Sequence, residues 1–176
     1  MTPGRRLALV SFFFGIVGFC LTCVVFASCG FYSAAWIDEN GNAFEAEPGL
    51  YVCKYTDGSA PFAGPKNFID GFAVLSLVAG LISGTLATIA IGTSAFNLKF
   101  KIKNPGVASC GFMLAAISQV PTYAVLFGAV CDIRYAGDCK VISSGIINAV
   151  AIVIWIVASC FSRSMVGKRQ ESNSGS

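Results

Sequence analysis

Four stretches of this sequence run for more than twenty residues each without Asp, Glu, Lys or Arg: 7–29, 72–96, 107–130 and 141–161. Crossing the hydrocarbon of a bilayer takes about 20 residues at 1.5 Å of helical rise each. Every one of the four is therefore long enough to span. Lipid offers the backbone no hydrogen-bonding partner, so such a segment must satisfy its own amides as a helix. A membrane β-barrel would instead need alternating strands of about ten residues, which these unbroken runs do not supply. Outside the runs little charge remains: 12% of the 176 residues are charged and 55% are hydrophobic. Soluble domains carry about 25% charged residues, and disorder needs low hydrophobicity. The balance thus argues against a cytosolic enzyme and against a disordered chain. Histidine is absent, which removes His-ligated metal sites and Ser-His-Asp triads. The predicted fold is an all-α membrane bundle of four transmembrane helices in a single domain over 1–176, with no metal and no cofactor.

The basic residues give an orientation. Arg5 and Arg6 precede the first run, Lys99, Lys101 and Lys103 lie between the second and third, and Arg163, Lys168 and Arg169 follow the fourth. Against these eight stands one acid, Glu171, for a net +7. The remaining segments hold Lys54, Lys66, Arg134 and Lys140 against eight acids, for a net −4. The positive-inside rule then predicts cytoplasmic termini, outer loops at 30–71 and 131–140, and a cytoplasmic tail at 162–176. The basic face suits an anionic inner leaflet, and nothing suggests nucleic acid. The first run exceeds the 7–15-residue apolar core of a signal peptide and is expected to persist as a helix.

Within the runs, small residues recur at interface spacing: Gly15 and Gly18 in the first, and Gly80 and Gly84 followed by Ala87 and Ile91 in the second. Such residues let helix backbones approach in lipid. They predict packing within the bundle, with dimerisation through Gly80 and Gly84 as the alternative. The polar side chains of the runs are uncharged and include Ser76, Ser83, Thr85, Thr88, Ser118, Gln119, Thr122 and Asn148. Gln119, beside Pro121, is expected to bond a neighbouring helix, with Asn148 as a candidate partner. Transporters usually carry ionisable residues at depth, and these runs carry none. Cys20 and Cys23 have the spacing of a dithiol motif, although no cation adjoins them to stabilise a thiolate, and packing is the expectation. Cys160, near Arg163, is a candidate for reversible palmitoylation.

The segment 30–71 is too polar to span and rich in aromatic residues. Asn40-Gly41 is a hairpin signal between Tyr32–Ile37 and the alternating Ala43-Phe44-Glu45-Ala46-Glu47. Pro48-Gly49 and Asp57-Gly58 bracket a third β-rich stretch. The prediction is a small antiparallel sheet in the first outer loop. Trp36 is placed early in that loop, and Gly49-Leu50-Tyr51 is followed by Cys53. In this order and topology the chain resembles the claudin superfamily, which includes claudins, the peripheral-myelin-protein group and the calcium-channel gamma subunits. The superfamily motif has Trp where Tyr51 stands and a second cysteine in the loop, which this chain lacks. The resemblance implies a non-enzymatic protein of the plasma membrane. It further implies that Trp36, Gly49, Leu50, Tyr51 and Cys53 shape an outer surface for cell contact, barrier formation or accessory-subunit work. Its partners would then be the lipid bilayer and other membrane proteins, or a second copy, met through the outer loops.

Cys29, Cys53, Cys131 and Cys139 fall on the predicted outer side, and four cysteines allow three pairings. Cys131 and Cys139 enclose seven residues that include Gly137, in a loop joining two antiparallel helices, so they are the predicted bridge. Cys29 with Cys53 is the predicted second. Two alternatives of other classes stay open: a membrane thiol oxidoreductase working through Cys20 and Cys23, and a small transporter with a polar cavity at Gln119 and Asn148.

Overall fold

The structure, a computed structural model, describes residues 3–27, 32–37, 43–48, 53–55, 68–96, 105–127, 140–141 and 143–174. Among the described residues the architecture is helical, with four α-helices: α1 (Pro3–Ala27), α2 (Phe68–Ala95), α3 (Pro105–Gln119) and α4 (Ser143–Ser174). Pro3 and Pro105 open α1 and α3, where a fixed φ suits the first turn and the missing N–H has no partner to lose. Three of the four are long and apolar enough to cross a membrane, over Gly4–Ala27, Phe72–Ala95 and Ser143–Met165.

The third run departs from expectation. Rather than one α-helix over 107–130, it is a 15-residue α3 that continues as a 3-10 helix over Val120–Phe127. The physical reason is Pro121. Its ring clashes with the carbonyl one turn earlier and it has no N–H to donate there, so the chain tightens rather than continuing with i to i−4 bonds. Eight residues is long for this geometry, in which runs rarely pass three or four. Other limits shift too. Val141 belongs to a strand rather than to the fourth helix, which begins at Ser143 and continues through 162–174, the stretch expected as a tail. The first helix starts at Pro3 and the second at Phe68, each four residues before its expected start at 7 and 72.

The helices are inside-out relative to a water-soluble protein. Phe13, Leu75, Leu86, Val107, Leu114 and Ile117 are 60–66% exposed, while the buried positions are mostly alanine, glycine, serine and threonine. Large apolar side chains on the surface fit a lipid solvent, and small ones at the seams let helices approach. The seams repeat every seven residues. In α1 the buried positions are Ala8, Ser11, Gly15, Gly18, Thr22 and Val25, and in α4 they include Ser144, Asn148, Ala151, Trp155, Ala158 and Ser162. Alternating steps of three and four mark the packing of left-handed bundles.

Two compact units divide the chain. The first comprises Met1–Cys20, Ala79–Ile117 and Ala151–Ser176. It joins the start of α1, the end of α2, the start of α3 and the end of α4. Its core holds Ala8, Ala87, Ala90, Ile91, Ala95, Ala108, Phe112, Ala115, Ala116, Trp155 and Ala158. The Trp155 indole is the largest fully buried side chain there and stacks on Phe112 at 5.7 Å between ring centroids. A Cβ on Gly18 would come within 2.9 Å of this indole, and one on Gly84 within 2.5 Å. Serines fasten the same unit: Ser11 Oγ donates to the Ala158 carbonyl at 2.9 Å and meets Ser162 Oγ at 2.7 Å. Ser109 Oγ and Ser159 Oγ lie 2.9 Å apart. Arg5 Nε donates to the Ala95 carbonyl at 3.1 Å, placing a cation at the negative end of α2.

The second unit comprises Leu21–Val78 and Ser118–Val150. Its backbone includes strand segments β1 (Tyr32–Ile37), β2 (Ala43–Pro48), β3 (Cys53–Tyr55) and β4 (Lys140–Val141), paired antiparallel in the order β3-β2-β1-β4. The register sets Trp36 opposite Phe44 and Ser33 opposite Lys140.

Candidate functional site

The second unit also contains a cluster of buried polar side chains drawn from α1, α3, the 3-10 helix and α4. Thr22, Gln119, Thr122 and Asn148 are all fully buried, at 0% exposure. Three of them occupy seam positions for a simple reason of spacing. Thr22 follows Gly18 by four in α1, Gln119 follows Ala115 by four in α3, and Asn148 follows Ser144 by four in α4. The hydrogen bonds form two arms. Gln119 Nε2 donates to Thr22 Oγ1 at 3.0 Å, linking α3 to α1. Asn148 Nδ2 donates to Thr122 Oγ1 at 2.8 Å, linking α4 to the 3-10 helix. Thr122 passes its own proton to the Gln119 backbone carbonyl at 2.6 Å. Close by, Tyr123 donates its hydroxyl to the Gly145 carbonyl at 2.6 Å. The 3-10 geometry places Thr122 and Tyr123, so the proline that shortens α3 also builds the site.

Two acceptors in this cluster are left over. Gln119 Oε1 and Asn148 Oδ1 are buried and have no hydrogen-bond partner among the described residues. A buried acceptor without a donor costs about 1–3 kcal/mol. Turning the Asn148 amide over would not mend this, because the Thr122 proton is already committed and its oxygen would then face Asn148 Oδ1 with no proton between them. The cluster contains no carboxylate and no cation. Desolvating an ion costs several kcal/mol, more than satisfying two neutral acceptors returns, so the chemistry on offer is recognition of neutral O–H or N–H groups.

Gln119 bonds a neighbouring helix as expected, but its partner is Thr22 of α1 rather than Asn148. Thr22 and the four bonded serines, Ser11, Ser109, Ser159 and Ser162, escaped the sequence reading. Their signal was available in the seven-residue seam of α1, on which Ser11 and Thr22 both fall. Gly80 and Gly84 are buried in α2, with Gly84 against Trp155 of the same chain. Cys20, Cys110 and Cys160 are exposed free thiols, while Cys23 is half-buried. Trp36 lies in β1 and Cys53 opens β3, but their side chains are outside what the structure describes. Gly49, Leu50, Tyr51, Cys29, Cys131 and Cys139 lie outside the described residues, and so do both predicted disulfides. Among the described residues no cluster of His, Cys, Asp or Glu could hold a metal ion.

No protein-family model matches the chain, and no curated protein matches it.

Proposed function

We propose that this chain is a non-enzymatic tetraspan protein of the plasma membrane, claudin-like in topology. In this reading a helical bundle holds up the loops 30–71 and 131–140 for interaction with other membrane proteins or with a second copy. The observation that carries it is the composition of the first unit. That unit joins the start of α1, the end of α2, the start of α3 and the end of α4, which is the arrangement of helices that alternate in direction. The three basic segments adjoin these same helix ends, which supports placing them together on the cytoplasmic side. The third crossing is then composite. Fifteen α residues and eight 3-10 residues extend roughly 38 Å at about 1.5 and 2.0 Å of rise, against about 30 Å of hydrocarbon. Backbone pairing of β1 with β4 supports a common side for the two loops and a single sheet-bearing surface, acidic and aromatic in sequence. An enzymatic role finds little in the spans to work with, since they carry no ionisable acid or base except cysteine and tyrosine.

The test is photo-crosslinking in native membranes from Glu45 and Asp57 replaced one at a time by a photoreactive residue. Reproducible capture of one membrane protein, or of a second copy, is the expected result. Adducts with lipid alone from both positions would sink the proposal.

A further inference from the structure

We propose that Gln119 and Asn148 form a binding site for a small neutral hydrogen-bond donor, and that water fills this role in the protein at rest. Each amide has its nitrogen bound to a threonine hydroxyl, at 3.0 Å for Gln119 and 2.8 Å for Asn148. Each leaves its carbonyl oxygen buried and without a partner among the described residues. The Thr122 hydroxyl, which accepts from Asn148 and donates to the Gln119 backbone, ties the two arms into one cluster. The site therefore presents two unpartnered acceptors beside the second N–H of each amide nitrogen, and an occupant that satisfies the oxygens must bring O–H or N–H groups. Within a span the bulk solvent cannot supply them. A metal or ammonium ion fits poorly, because no carboxylate of the cluster balances its charge. A water molecule has the matching chemistry: it brings two donors, and buried waters in proteins typically serve polar groups that lack protein partners. An alcohol or primary amide has the same chemistry and would compete for the same oxygens.

Gln119 can be watched by itself. The chain has one other glutamine, Gln170, so a Gln170→Glu variant grown on glutamine labelled at Cδ with carbon-13 and at Nε2 with nitrogen-15 carries one reporter. In lipid nanodiscs, the isotope-edited infrared band of this carbonyl is expected at a hydrogen-bonded position. Magnetic resonance of the same sample is expected to show short-mixing transfer from water to the Gln119 amide protons. Gln119→Met, of similar length and apolar, should abolish both signals and so assign them. A band at the position of an amide in hydrocarbon would overturn the proposal. So would a hydrogen-bonded band without transfer from water, which would assign the donor to protein or lipid. A band that moves when sodium and potassium are replaced by choline would overturn it in favour of a cation.

Discussion

Single residues decide how closely these helices approach, and Trp155 with its two glycines is the sharpest case. The ideal Cβ of Gly84 lies 2.5 Å from the indole, inside any real carbon–carbon contact. Gly84→Ala is therefore expected to lower unfolding free energy in mixed micelles by about 1–3 kcal/mol, the usual cost of overpacking. Trp155→Phe in the same chain should return part of that loss by vacating the space. An unchanged stability for Gly84→Ala would show that the indole does not rest on α2. The serine pairs are a milder case. Replacing Ser109 and Ser159 by alanine, singly and together, should give a coupling of about 0.6 kcal/mol, typical of hydrogen bonds between membrane helices. A strictly additive cycle would remove the bond from the account.

At the scale of elements, what was legible in the sequence was apolarity and what was hidden was geometry. The runs behind α1, α2 and α4 declare themselves because nothing charged interrupts them. The third run declares itself equally by composition, and Pro121 is plain to see, but a proline does not announce whether the chain kinks or changes its winding. Here it changes its winding. The polar cluster was half legible for a related reason: Gln119 and Asn148 are conspicuous in an apolar run, while Thr22 gains meaning only from its place in a seven-residue seam. Pro121→Ala tests the link between winding and site. An α-helical continuation would rotate each following side chain by about 20° less per residue, carrying Thr122 away from Asn148. In the natural background Thr122→Val and Asn148→Leu should be non-additive in stability. In the Pro121→Ala background they should become additive, and persistent coupling there would show that the 3-10 helix does not position Thr122.

For the whole molecule the decisive quantity is the number of crossings. Four crossings put both termini on one side, whereas a third segment that failed to cross would separate them. Epitope tags at the two ends, probed by antibody before and after permeabilising cells, should both require permeabilisation. One tag reached without it would overturn the tetraspan reading. Peptide mapping without reductant should likewise recover Cys131 joined to Cys139, and a Cys53 link to either would show the two loops stitched to each other instead. One buried indole also has a meaning for inheritance. Trp155 meets Gly18 from α1, Gly84 from α2 and Phe112 from α3, so these four positions share one volume and are not free to drift separately. A descendant lineage that enlarges either glycine must first, or at once, shrink the tryptophan. Neither change is free alone, because a much smaller residue at 155 leaves a cavity and a larger one at 84 overpacks the seam, so the two positions are expected to change together. Selection for suppressors of a Gly84 defect should therefore return to codon 155 repeatedly.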